Sequence, residues 1–371
     1  MDVVIIGGGL GGLCAALDLR GRGHAVTLVE RRHYPFHRVC GEYVSNEVLP
    51  YLRRLGIDLT PLAPARLTRF QVSSPAGRLL DAPLDLGGFG LSRYVLDEFL
   101  YQRALALGVN VVHATVTEVE FDEATDAHQV VLADGRHLPA RVVLGTYGKR
   151  SALDRQLNRP FFTQRSPYLG VKYHLRYAAM PRDLIALHNF ADGYAGISAI
   201  EDDKFCFCYL TTRRNLKAQG TIARLEEQVL ARNPHLRHIL TQAEVLYPQP
   251  EVINEISFAP KTCLEQHVLL AGDAAGLITP LCGNGMAMAI HGASLAATHA
   301  DAFLRRQLTR PQLEAAYARS WQQAFGSRLR VGRAVQRAFG QPLLSEVMVS
   351  GLRQLPGVVQ GLMRRTHGTV F

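Results

Sequence analysis

One tryptophan, Trp321, and six cysteines are all that 371 residues hold of these two types. The cysteines, at positions 14, 40, 206, 208, 263 and 282, form no C-x-x-C pair and no metal-finger spacing. A structural zinc module is thereby excluded, no metal is expected, and free thiols point to a reducing, cytoplasmic compartment. No apolar run reaches the ~18 residues that a membrane-spanning helix needs. The net charge is +9, yet no run of lysine and arginine interleaved with aromatics occurs, so a nucleic-acid partner is not expected. Internal repeats and low-complexity linkers are absent too. The first apolar run starts at Val3, and no signal or transit peptide is expected before it. What remains is a globular composition, 47% apolar and 20% charged, long enough for two domains that share a core.

The stretch from Asp2 to Glu30 reads strand, glycine turn, helix, strand. Val3 to Ile6 is all apolar, as in a parallel strand buried on both faces. Gly7, Gly9 and Gly12 stand at the G-x-G-x-x-G spacing. The first permits the tight turn, the second lets a pyrophosphate approach the backbone, and the third lets the helix lie close on the strand. A helix opening at Leu10 aims free N–H groups and its positive dipole end at that pyrophosphate. Glu30, with Arg31 beside it, ends the second strand; a carboxylate there accepts the two hydroxyls of an adenosine ribose and repels a 2′-phosphate. The motif alone leaves open which dinucleotide is bound.

Further along, Asn46 to Leu55 is expected to be helical, and residues 59–90 to hold strands that leave the nucleotide domain. Ser92 to Leu107 is an amphipathic helix with Ser92 as N-cap. Val109 to Val112 and Val116 to Phe121 are strands, and the Asp134-Gly135 turn joins a hairpin. Alternating segments such as Leu169 to Arg176 and Lys204 to Leu210 predict a mainly antiparallel sheet over residues 160–260, with one inserted helix from Ile222 to Ala231. His267 to Leu270 is a last buried strand, and the chain is helical from about Ala302.

After that last strand come Gly272, Asp273, Ala274 and Ala275, then Pro280, then Gly283, Asn284, Gly285 and Met286, opening a helix of small residues. With the first glycine turn, this arrangement resembles the two FAD fingerprints of the p-hydroxybenzoate hydroxylase-like flavoproteins. The resemblance implies non-covalent FAD, with Asp273 on a ribityl hydroxyl, Pro280 beside the isoalloxazine, and the Gly283 to Met286 turn near flavin N1 and C2=O. A helix N-terminus there suits a reduced, anionic flavin. Ser92-Arg93 with Leu96-Asp97 is similar to the family's arginine-bearing helix over the pyrophosphate, and Val116 stands where relatives hold adenine by main chain. Gly148 and Ser151 resemble the middle motif, but Tyr147 replaces its Asp. That departure implies no dedicated NADPH dock and leaves the electron donor open between NAD(P)H and another reductant.

Within this superfamily, Gly276 is similar to the geranylgeranyl reductase and flavin halogenase branches, and the loop Arg38-Val39-Cys40-Gly41-Glu42 to the reductases, as is Gly193-Tyr194-Ala195-Gly196, although the motif's Trp is missing. The tryptophan-rich signature of flavin halogenases is absent. Cys40 has two open readings, a thiol near the flavin that shapes the channel or supplies a proton, and a small buried apolar residue. Glu42 reads as a salt-bridging loop residue, and Cys206 and Cys208 as core packing on one strand face. Cys282 falls near the flavin but receives no chemistry. His33, His37, His174 and His188 show no pairing in the sequence.

Ser320 to Phe371 carries seven arginines and one acid, Glu346, with apolar residues at helical spacing. Such a tail lies on an anionic membrane, covers an apolar channel, or packs as an ordinary helical cap. The expected protein is an α/β enzyme. An FAD-binding Rossmann-like domain (1–70, 91–158, 262–300) carries an inserted antiparallel substrate domain (71–90, 159–261) and a C-terminal helical region (301–371). The expected activity is FAD-dependent monooxygenation of an apolar, polyketide- or lipid-like molecule. The alternative is saturation of polyprenyl double bonds, and a non-catalytic nucleotide scaffold stands third.

Overall fold

The computed structural model describes residues 1–279, 283–339, 341–353, 357–359, 361 and 368–371. β1 (Val3–Ile6), α1 (Leu10–Gly21) and β2 (Val26–Glu30) form a tight crossover unit whose two strands run parallel. Their side chains are buried throughout, because the sheet is covered on both faces. The chain then leaves through β3 (Tyr43–Ser45), α2 (Leu49–Arg54), β4 (Ala65–Ser73) and β5 (Leu79–Gly90). It returns in α3 (Arg93–Ala106), where Ser92 Oγ accepts the Val95 N–H at 3.2 Å. β6 (Asn110–His113) joins β2 in parallel. β7 (Val116–Asp122), β8 (Ala127–Leu132) and β9 (His137–Ala140) make a separate antiparallel sheet, after which β10 (Val142–Gly145) takes the other side of β1. The one-turn α4 (Leu153–Gln156) ends this part.

β11 (Tyr168–Arg176), β12 (Leu184–Phe190), β13 (Gly193–Ala199) and β14 (Phe205–Thr212) build the centre of the large sheet. Three short helices follow, α5 (Arg213–Gln219), α6 (Ile222–Gln228) and α7 (Pro234–Gln242), where the sequence predicts one. Each starts on its own side-chain cap, Thr212, Thr221 and Asn233, and Gly220 at φ +79° separates the first two. β15 (Glu244–Val245) and β16 (Glu251–Asn254) both pair with β11. The chain re-enters the first sheet with β17 (Leu264–Glu265) and β18 (Val268–Leu270) and closes with α8 (Gly285–Leu304), α9 (Arg310–Phe339) and α10 (Pro342–Leu352).

The nucleotide sheet has the order β17-β18-β10-β1-β2-β6 and is parallel apart from β17. The large sheet runs β15-β11-β14-β13-β12-β4-β5-β3, with β16 on β11, and only β12 and β4 pair in parallel. The mainly antiparallel insertion is thus present. β3 and the first half of β4 also belong to it, so the chain crosses between the sheets earlier than residue 71. The crossing of α1 over α8 is close: a Cβ on Gly11 would lie 3.3 Å from the Ala289 carbonyl oxygen. α9 and α10 lie over the face of the large sheet that looks toward the glycine turns, where Val72, Leu187, Tyr194 and Leu277 share one apolar cluster with Val349.

Candidate functional site

The first glycine turn needs bare backbone at two places. Gly7 has φ +102°, and a Cβ there would stand 2.6 Å from Tyr147 Cα. A Cβ on Gly12 would come within 2.0 Å of the Gly7 carbonyl oxygen, so only glycine lets α1 lie on β1. Gly9 is open; its nearest neighbour would be the Arg93 guanidinium at 3.5 Å. α1 begins at Leu10 with no side-chain cap, which leaves its first N–H groups for a ligand. Around this start stands a ring of charges. Glu30 accepts the Gly8 N–H at 2.9 Å, the Arg32 N–H at 3.0 Å and Arg38 Nη2 at 3.2 Å. Arg38 reaches Asp97 with Nε at 3.2 Å, and Arg93 grips Asp97 with two bonds of 2.7 Å.

At the other end, Gly272 (φ +62°) and Asp273 make a short 3-10 turn. Two cations, the buried Arg159 and the half-buried Lys261, hold its carbonyls. Lys261 Nζ donates to Asp273 O at 2.8 Å, and Arg159 Nη1 donates to Ala274 O at 2.8 Å. Burial brings the Lys261 ammonium down to about 8. Arg159 is paired with Asp154 at 2.9 Å, and the Tyr147 hydroxyl donates to the same carboxylate at 3.1 Å. Gly283 (φ +63°) faces the Tyr43 ring, and α8 starts at Gly285 without a side-chain cap. Asn284 is wholly buried, its side chain hydrogen-bonded to Glu47, and it is not among the residues that line the cavity between the two turns. Pro280 and Cys282 lie outside the described residues.

One cavity of about 900 Å3 joins these two ends. Glu30, Arg31 and Val116 line one extremity, Gly7, Gly9, Leu10, Arg38 and Arg93 the middle, and Cys40, Gly272, Asp273, Gly283, Gly285 and Met286 the other. Gly12 is absent from its wall because it is spent on the contact between helix and strand. Past Cys40 and Met286 the cavity opens into a chamber between the large sheet and the C-terminal helices, with Phe70, Val72, Leu187, Tyr194, Leu277 and Met348 in its wall.

Beside this junction sits a cluster that the sequence names only in part, as Glu42, His174 and Cys206, and does not bring together. Glu42, at φ +55°, is wholly buried; its carboxylate receives Lys172 Nζ at 2.5 Å, His174 Nε2 at 2.6 Å and the Arg93 N–H at 2.8 Å. Burial pushes its pKa up, but Lys172 and His174 outweigh burial and hold it at about 2. Lys172 also donates to Arg38 O at 3.1 Å, and Cys206 Sγ to Cys40 O at 3.2 Å. Strands β11 and β14 of the large sheet therefore pin the loop that carries Cys40. Glu42, His174 and Cys206 bring metal-ligand atom types within 4.8 Å of one another. The Lys172 ammonium already occupies the carboxylate, so an added cation would meet its charge. The salt-bridging reading of Glu42 fits this geometry, while His174, unpaired in the sequence, is here a partner. Only the i, i+2 spacing of Lys172 and His174 on one strand face hinted at it. Cys40 is half-buried at the cavity wall; Arg38 turns from it toward Glu30 and Asp97.

A family model described as an FAD binding domain matches residues 1–321. Kynurenine 3-monooxygenase of Myxococcus xanthus is 30% identical over 315 residues, 76% of this chain and 67% of that protein. Geranylgeranyl diphosphate reductase of Rhodobacter capsulatus is 25% identical over 319 residues, 82% of this chain and 76% of that protein. Among solved structures, PqsL of Pseudomonas aeruginosa, in complex with 2-aminobenzoylacetate, superposes with a TM-score of 0.75 at 20% identity, covering 94% of this chain and 99% of that one.

Proposed function

Because the chain belongs to the FAD binding domain family and is an FAD-dependent oxidoreductase, we propose that it inserts one oxygen atom into an apolar small molecule. The observation that carries the reading is the continuity of the dinucleotide groove with a chamber walled by apolar side chains. The residues present fit FAD. The Gly7 and Gly12 backbone leaves the groove open where side chains would close it, and uncapped helix starts at Leu10 and Gly285 face its middle and its far end.

In this reading Glu30 holds the adenosine ribose. The α1 start and Arg93 hold the pyrophosphate. Asp273, fixed by the cations under its turn, holds the ribityl chain, and the α8 start stabilises negative charge on the flavin ring. Electron delivery to dioxygen is the chemistry that FAD supplies when bound. The balance is two electrons and two protons from a donor, one oxygen atom into the product and the other released as water. The chamber's part is to seat the substrate at the flavin edge and to keep bulk water out.

A second reading, reduction of polyprenyl double bonds, draws on Cys40 at the cavity wall. Turnover of 2-naphthol and of geranylgeraniol under 18O2, with NADH, NADPH or dithionite as donor, separates the two. Monooxygenation predicts an 18O label in the ring product and no anaerobic turnover. Oxygen-independent saturation of geranylgeraniol would overturn it.

A further inference from the structure

α10 is apolar on both sides. Of its residues Pro342 to Leu352, only Ser345, Glu346 and Ser350 are polar. Met348, Val349 and Leu352 turn inward and line the chamber. Leu343, Leu344 and Val347, which fall with Gly351 on the opposite face at i, i+1, i+4 and i+8, are exposed by 84%, 41% and 69%. A helix apolar all round is normally buried on all sides, and an exposed patch of this kind in a soluble fold marks a contact surface.

The charges around the patch say what covers it. Between Ser320 and Phe371 there are seven arginines and a single acid; of the arginines, Arg328 is buried against Glu47, while Arg330, Arg337 and Arg353 are exposed. That acid, Glu346, is engaged, accepting the Ala76 N–H at 2.5 Å and standing 4.0 Å from Arg78. Arg78 donates to Ser350 Oγ at 2.8 Å, and exposed Arg353 follows the last turn. The exposed charge of this region is thus mainly positive, with Arg78 and Arg353 next to α10. A second copy of this chain would bring arginine against arginine, whereas an anionic lipid surface answers both the apolar face and the positive charge. No described helix is long and apolar enough to cross a membrane, so the contact lies in the interface plane.

We propose that α10 is an interfacial helix that docks on an anionic bilayer and forms the door through which an apolar substrate passes from lipid into the chamber. The proposal rests on the chamber being the substrate site. Docked, the helix has lipid on its Leu343 face and the chamber on its Met348 face, so a small outward shift joins two apolar phases without exposing the substrate to water.

The test is co-sedimentation of the full-length flavoprotein with phosphatidylcholine vesicles, with and without phosphatidylglycerol, for the natural chain and a Leu343→Glu/Val347→Glu variant. Both substituted side chains are exposed and off the chamber wall, so flavin content and turnover of a soluble probe should be unchanged. The expected result is binding to the anionic vesicles, reduced by salt, and at least about tenfold weaker in the variant. Absence of vesicle binding, equal binding by the variant, or a dimer in sedimentation velocity that the variant abolishes would each overturn the proposal. Failure of the oxygenation reading shows separately, as a protein that binds vesicles but leaves 2-naphthol unlabelled.

Discussion

At Gly12 a single methyl group decides whether the groove forms. Its Cβ would overlap the Gly7 carbonyl oxygen, a backbone atom that cannot turn aside, and would also crowd Thr146 Oγ1 at 2.7 Å. Gly12→Ala should cost about 1–3 kcal/mol through overpacking and leave protein with little bound flavin, as read by the flavin-to-protein absorbance ratio. Glu42 is the opposite case, a charge that must stay. Glu42→Gln leaves the Lys172 ammonium buried without its counterion, a loss of about 3–5 kcal/mol. The pH dependence follows from the depressed carboxyl. Its stabilising effect is present above the ordinary value of 4.5 and is lost as pH falls toward about 2. The gap in urea unfolding free energy between natural protein and variant should therefore narrow from pH 5 to pH 3; a constant gap would contradict the ion pair. The glycines were readable in sequence because a backbone demand is local and repeats at fixed spacing. The Glu42 cluster was not, because a loop residue and two residues of one strand, 130 and 132 positions on, meet only through the fold.

Among the elements, the short helices after β14 show what a periodicity reading loses. Residues 213–242 carry three caps that each start a helix, and apolar spacing over so few turns picks out only one, Ile222 to Ala231, and misses those on either side. The caps differ in weight. Thr221→Ala removes one N-terminal hydrogen bond at an exposed site and should cost about 1 kcal/mol. The Asn233 side chain caps α7 and also donates to Ser73 Oγ, Ser74 O and Asn189 O, all buried. Asn233→Ala should cost at least about 2 kcal/mol, and urea unfolding of the two variants checks the order. By contrast β1, α1, β2, α3 and β18 lie close to where the sequence puts them, because each has a full apolar face and a clear start or stop.

For the whole molecule, three histidines are held neutral by burial. His128 and His291 are lowered to about 4 and His188 to about 3. The unfolded chain binds those protons near pH 6.5 while the folded chain refuses them, so acid favours unfolding. Stability should fall as pH drops from 6.5 toward 4, by roughly 1.4 kcal/mol per pH unit for each histidine, visible as a falling Tm. A Tm that is flat or rises over that window would contradict the burial of these rings. At this scale the two-ended groove was readable from its glycine turns alone. The chamber was not, since its wall is gathered from the large sheet, the turn at Leu277 and α10, segments far apart in the chain.

The central claim is that two distant glycine turns hold the two ends of one FAD. Its most direct measurement is the identity and amount of nucleotide released when the purified protein is heat-denatured. The account predicts yellow protein that releases about one FAD per chain, with no flavin left on the polypeptide. A colourless protein that takes up NAD in preference to FAD on reconstitution would contradict it.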